Sequence, residues 1–217
     1  TADRAMADSR WEGASICEVV RSLLKGDADP NQAAPDGSTA VHWAVHRDNL
    51  PMLNALLDAG ARPNGFTRYK ITPLTLAAQN GDAVLVERLL VAGADPDTAS
   101  EEGQTALMTA ARNGSVAVVR ALLNRGAQIG LRESSRGQTA LMFAAGEGNT
   151  DAAKLLLESG AKLNERSKGG YTPLLFAVRN NRSETVEFLL QHGANVNDRI
   201  PDGTTALSIA ILNADFD

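Results

Sequence analysis

The sequence predicts an all-α fold, a solenoid of stacked helix-turn-helix units joined by projecting β-hairpin or turn loops. Three observations carry this expectation. A Thr-x-(Leu/Val) phrase returns at Thr39, Thr72, Thr105, Thr139, Thr172 and Thr205, with successive threonines 33, 33, 34, 33 and 33 residues apart. A Gly-Ala pair follows each of the first five threonines, the glycine always 21 residues on, at Gly60, Gly93, Gly126, Gly160 and Gly193. Alanine stands five residues after every threonine, at Ala44, Ala77, Ala110, Ala144, Ala177 and Ala210. A fixed period of this length marks units that bury their apolar stripes against one another. A small residue at one recurring position lets the units approach closely.

The elements follow in order. Residues 1–33 read as an N-terminal capping half-repeat: "WEGASICEVVRSLLKGDADPN" carries a second-helix pattern and its exit, with Asp27 where glycine would stand. Repeats are expected at 34–66, 67–99, 100–133, 134–166 and 167–199, and residues 200–217 read as an incomplete final repeat. Within 72–93, "TPLTLAAQNGDAVLVERLLVAG", Thr72 caps a helix, Pro73 takes its first position, and "LTLAA" supplies an apolar stripe. "NG" then breaks the helix. A second helix carries Leu85, Val86, Leu89 and Leu90 at helical spacing and ends at Gly93, placed for a left-handed turn. Helices this short are marginal alone, so each pair needs its neighbours. The connecting stretches, such as "GADPDTASEEGQT", are rich in Gly, Asp, Pro and Ser and read as projecting turns. The single 34-residue interval contains "AQIGLRESSRGQ", which predicts one enlarged loop around Arg132 to Arg136.

Composition excludes several classes. The 217 residues include 21 basic and 26 acidic side chains, a net charge of -5, so there is no basic surplus to hold phosphate backbones or anionic lipid. The one cysteine, Cys17, can form no internal disulfide. No apolar run is long enough to span a bilayer, and no signal-like segment stands at the start. The chain opens on Thr1 rather than Met, which leaves export open while the cytoplasm is favoured for a soluble chain. The last unit lacks its second helix, so Leu207, Ile209 and Ile211 are expected to be covered by chain beyond Asp217 or by another molecule.

Chemical motifs are weak. His42 and His46, four apart on a helix, could share a metal in geometry, but no third ligand stands in motif spacing and no metal is expected. "SLLK" at Ser22 to Lys25 lies in the leucine-bearing cap helix without companion motifs. "DADPNQAAPDG" opens like a calcium loop, yet Gln32 and Ser38 stand where glycine and glutamate are needed. No dinucleotide, P-loop, zincin or nucleophile-elbow signature occurs, so neither cofactor nor catalytic residue is assigned. The sequons at Asn113 and Asn181 fall at helix breaks and are explained by turn chemistry. Trp43, Phe143 and Phe176, four residues after their threonines, read as core wedges. Tyr171 and Tyr69, at the turns, read as candidate surface anchors.

The phrases "GSTAVHWAV", "ITPLTLAA", "GQTALMTAA", "GQTALMFAA", "GYTPLLFAV" and "GTTALSIAI" hold one register with "GARPN", "GADPD", "GAKLN" and "GANVN". In this the sequence resembles the ankyrin repeat family over almost its whole length. Departures are local: proline follows the threonine only at Pro73 and Pro173, the family histidine survives only at His42, and Asp48 and Asn181 replace the inter-helix glycine. The resemblance implies a scaffold without catalysis that binds a partner protein or peptide on its concave face. It places that surface at the turns, on Arg68, Tyr69 and Ile71, on Glu101, Glu102 and Gln104, on Ser135, Arg136 and Gln138, and on Lys168 and Tyr171. From the first helices it adds His46, Arg47, Gln79, Asn80, Arg112, Asn113, Glu147, Arg179 and Asn180. These positions vary between units while the core positions stay alike. The competing reading is a regulatory or targeting arm of a larger, enzymatic protein whose catalytic segment lies outside this chain; a plain structural spacer fits the mixed charges and tyrosines less well.

Overall fold

A computed structural model describes residues 16–214 of the chain. Residues 1–15 of the expected capping half-repeat and residues 215–217 lie outside the described residues. The first described helix is α1 (Ile16–Lys25). Five helix pairs follow: α2 (Ala40–His46) and α3 (Leu50–Asp58); α4 (Pro73–Asn80) and α5 (Ala83–Val91); α6 (Ala106–Asn113) and α7 (Val116–Asn124); α8 (Ala140–Glu147) and α9 (Thr150–Glu158); α10 (Pro173–Arg179) and α11 (Ser183–Gln191). Helix α12 (Ala206–Ala214) is the last of the described helices. First helices stack on first helices, from α2 to α12, and second helices on second helices, from α1 to α11.

The recurring threonine starts each first helix for a local reason. The Oγ1 atoms of Thr72, Thr105, Thr139, Thr172 and Thr205 accept the N–H three residues on, at 3.1, 3.4, 3.4, 3.4 and 3.2 Å. That satisfies a donor the helix leaves without a partner. In the first full repeat His42 takes the third helical position. Its Nδ1 accepts the Thr39 N–H at 3.1 Å and its Nε2 lies 3.1 Å from the Ile71 carbonyl, so the buried ring ties one repeat to the next. The break between helices is left-handed at Gly81, Gly114 and Gly148, with φ of 76, 72 and 81°. Asp48 and Asn181 adopt the same region, at φ 47 and 55°. These side-chain types tolerate that region better than most.

The core is a continuous apolar seam. Leu53, Leu85, Leu89, Leu122, Leu156 and Leu189 from the second helices are fully buried. Ala44, Ala77, Ala110, Ala144 and Ala177 each show 0 % exposure at the contact between first helices, where a longer side chain would push the units apart. Ala210 is exposed, because no described helix follows α12. On that helix Leu207, Ile211 and Leu212 are exposed, while Ile209 is buried in a cluster with Leu175.

The projecting loops are tight turns rather than strands. No strand occurs among the described residues; one isolated antiparallel bridge joins Arg199 to Thr205. Each turn is closed by a backbone hydrogen bond: Ala34 to Ser38, Thr67 to Ile71, Ser100 to Gln104, Glu133 to Gln138, Ser167 to Tyr171 and Ile200 to Thr204. The extra residue of the 34-residue interval lies in the turn between Glu133 and Gln138, inside the loop the spacing singles out. The reading of Trp43 as a core wedge needs correction: it is 51 % exposed, whereas Phe143 and Phe176 at the equivalent position are buried at 8 % and 7 %.

Candidate binding groove between the turns and the first helices

The turns form a ladder along one edge of the stack. The N–H groups of Arg68, Ser134 and Lys168 donate to the carbonyls of Asp36, Glu102 and Arg136 on the preceding turns, at 2.8, 2.7 and 2.8 Å. Inside three of the turns a hydroxyl on the first residue stabilises the last. Thr67 Oγ1, Ser100 Oγ and Ser167 Oγ accept the N–H of Ile71, Gln104 and Tyr171, at 3.3, 3.2 and 3.1 Å.

In the enlarged turn a hydroxyl is replaced by the longer Glu133 side chain. Its carboxylate accepts from Gln138 N at 3.0 Å, Arg136 N at 2.7 Å, Ser135 N at 2.7 Å and Ser135 Oγ at 2.6 Å. Burial works against its ionisation, but the bonds from Ser135, Gln138 and Arg136 outweigh that effect and hold the carboxyl below its ordinary range. The inserted residue is therefore structured rather than loose.

Two arginines brace the same edge. Arg132 donates to the carbonyls of Gly137 and Arg166, at 3.0 and 2.7 Å, and pairs with Glu165 at 3.3 Å. One repeat on, Arg166 donates to the carbonyls of Gly170 and Arg199 and pairs with the buried Asp198. Asp198 also accepts from Thr172 Oγ1 at 2.6 Å.

Between this edge and the outward side of the first helices runs a groove. Along it lie two open cavities of about 370 and 520 Å³ that share Ser135, Arg136, Phe176 and Arg179 as lining. Phe143 and Phe176 make its floor. The Arg112 guanidinium lies 4.2 Å from the Phe143 ring centre and donates to Gln104 at 3.4 Å. Arg179 lies 5.5 Å from the ring centre of Tyr171, which itself stands 5.3 Å from Phe176. Further toward the N-terminus, Arg68 stacks 4.8 Å from the exposed Tyr69, and Trp43 meets His46 edge to face.

The sequence-predicted site residues divide accordingly. Gln104, Ser135, Arg136, Gln138, Lys168, Tyr171, Arg112, Glu147, Arg179 and Asn180 line the two cavities. Arg68, Tyr69, Glu101, Glu102, His46, Arg47 and Gln79 are exposed outside them, and Ile71 is half-buried. Several have structural duties. Asn80, Asn113 and Asn180 donate to the carbonyls of Val45, Gln79 and Gly146, at 3.1, 3.0 and 2.7 Å, each satisfying the C-terminal end of the preceding first helix. Gln138 is buried at 8 % exposure, and Tyr171 is half-buried against its turn and Phe176 rather than standing free. Glu147 lies 3.9 Å from Arg182.

Sequence reasoning missed three contributors. Phe143 and Phe176 are buried from below yet present ring surface to the groove, a dual role that periodicity reads only as core. Gly146 lines the cavity of about 370 Å³ at the helical position that carries His46, Gln79, Arg112, Arg179 and Leu212 in the other repeats. A glycine inside one helix where five equivalents bear side chains was a readable signal.

Both ring nitrogens of His42 are occupied by Thr39 and the Ile71 carbonyl, and among the described residues no group of three or more His, Cys, Asp or Glu could hold a metal ion. No described helix is long and apolar enough to cross a membrane. A search of curated proteins finds no match to the chain. The family model described as "Ankyrin repeats (3 copies)" matches residues 10–98, 74–167 and 163–217, which together span nearly the whole chain. With the 33-residue register, the paired helices and the turn ladder in agreement with that match, the chain belongs to the ankyrin repeat family.

Proposed function

We infer that this chain is a non-catalytic scaffold that holds a partner protein or peptide on the concave face between its turns and its first helices. Ankyrin repeats are in general protein-interaction modules. The observation that carries the reading here is the contrast between faces of the same helix. At the inward position alanine recurs without change, whereas the outward position runs through His46, Gln79, Arg112, Gly146, Arg179 and Leu212. Stacking constrains the first series and not the second, so the second is free to recognise something.

The test is capture from the native source by the parent and by a variant with Tyr69, Arg136, Lys168 and Arg179 all replaced by alanine. These side chains are exposed, so the melting curve should stay within about ±0.5 kcal/mol per site of the parent's. The captured protein should be lost. A control with Arg120→Ala and Glu187→Ala, both exposed on second helices, should capture as the parent does. Equal capture by the parent and the four-residue variant would move the binding face to another surface.

A further inference from the structure

The groove between Arg112 and Arg179 is lined by several cations. Arg112, Arg136, Lys168 and Arg179 line its two cavities, and none of them is in an ion pair with a described residue. The four described arginines that do form ion pairs, Arg88, Arg132, Arg166 and Arg182, are each within 4 Å of a carboxylate. Two acids line the groove, and both are engaged: Glu133 by the four hydrogen bonds of its own turn, and Glu147 by Arg182. Positive charge thus gathers in one place on a chain whose net charge is -5.

The floor beneath these cations is aromatic. Arg112 lies 4.2 Å from the Phe143 ring centre and Arg179 5.5 Å from that of Tyr171, so each guanidinium is within cation–π reach of a ring. The planar fork of a guanidinium is suited to bidentate capture of a carboxylate. Phe176, between them, offers apolar surface to a neighbouring side chain.

Gly146 opens the space. It lies in the middle repeat of the three that build the cavity, at the position filled by arginine in the repeats on either side. A Cβ placed there would meet Asn180 Nδ2 at 3.4 Å and Phe176 Cβ at 3.7 Å, which are ordinary contact distances. Packing therefore does not require glycine, and alanine would favour the helix. What glycine provides is a hollow flanked by Arg112 and Arg179 and floored by Phe143 and Phe176.

Resting on the reading of the concave face as the binding surface, we propose that this groove binds an acidic peptide segment of a partner protein, its carboxylates paired with Arg112, Arg136 and Arg179 and an adjacent large apolar side chain seated over Gly146 against Phe143 and Phe176. The openness of the joined cavities suits an extended chain, and the charge suits carboxylates. Glu101 and Glu102 on the preceding turn tip repel a continuous polyanion such as a nucleic acid, so the acidic segment is short.

The test is fluorescence anisotropy with a short fluorescein-labelled peptide in which glutamates flank a phenylalanine, against the same peptide with lysines in place of the glutamates. The acidic peptide should bind saturably, about tenfold or more tighter than the lysine peptide, and weaken as salt is raised. Arg112→Gln, Arg179→Gln and Gly146→Gln each import the residue that Gln79 already supplies at this position in another repeat. Each should weaken the acidic peptide about tenfold with the melting curve retained, while Arg120→Ala on a second helix should not change it. Absence of binding, equal binding of the two peptides, or binding by Gly146→Gln and both arginine variants equal to the parent's would overturn the proposal. If the native partner is lost in the four-residue capture variant while acidic peptides fail to bind, the concave face stands and its assignment to acidic segments falls. If capture is also unchanged, both readings fall.

Discussion

Replacing Glu133 by alanine removes the acceptor for four hydrogen bonds at once, and the structure allows the cost to be apportioned. Ser135 and Arg136 are exposed, so their N–H groups and the Ser135 hydroxyl recover water as a partner and lose little. Gln138 is buried at 8 % exposure, so its N–H loses a charged acceptor without replacement, at about 1–3 kcal/mol. The longer turn also loses the group that organises it, while its backbone bond to Glu102 and the Arg132 brace remain. The expected destabilisation is about 2–3 kcal/mol, or a melting temperature lower by about 4–12 °C for a domain of this size. Ser100→Ala, in a turn of ordinary length, removes one neutral acceptor for Gln104 and should cost about 1 kcal/mol or less. Glu133→Gln retains one oxygen and should fall between the parent and Glu133→Ala. Because the Glu133 carboxyl titrates below its ordinary range in the folded protein, its contribution is present above about pH 4.3 and is lost as pH falls through the lower folded value. Thermal melts by circular dichroism at neutral pH, repeated on acidification, measure all of this. A Glu133→Ala protein that melts with the parent, or one no less stable than Ser100→Ala, would refute the account of the enlarged turn.

Two further outcomes follow from the stack itself. Ala144→Leu places extra methylenes where α8 meets α6 and α10 and should cost about 1–3 kcal/mol in urea denaturation, against little change for a leucine at the exposed Ala210. Burial lowers the His42 pKa despite the opposing effects of its hydrogen bond to Ile71 and the charge of Asp36, so the folded state favours the neutral ring. Stability from that preference is present above about pH 6.5 and is lost as pH falls through the lower folded value; melts should show a steeper decline on acidification for the parent than for His42→Met, which copies Met108 and Met142 at the same position.

The period, the paired helices, the helix starts at the six threonines and the site of the enlarged loop were all legible in the chain. Each is a local matter: a capping hydroxyl, a proline or glycine at a helix boundary, an apolar stripe, and a count of residues between repeats. Stacking was legible too, because alanine at a fixed register has no other local purpose. The groove was only half legible. Variation at the outward positions singled out one side of the stack, but which side chains stay exposed there depends on contacts between residues some thirty apart in sequence. Asn80, Asn113 and Asn180 are drawn into capping the preceding repeat, and Tyr171 is drawn down against Phe176. Trp43 and Phe143 occupy the same register, yet one is exposed and the other buried, since burial at that position depends on the neighbouring repeats and not on the helix that carries it. The convergence of Arg112, Arg136 and Arg179, none in an ion pair with a described residue, on the cavity that Gly146 lines is likewise a property of three repeats together. Local chemistry in the sequence determines each repeat; only the tertiary stack decides which polar groups it uses up and which it leaves exposed.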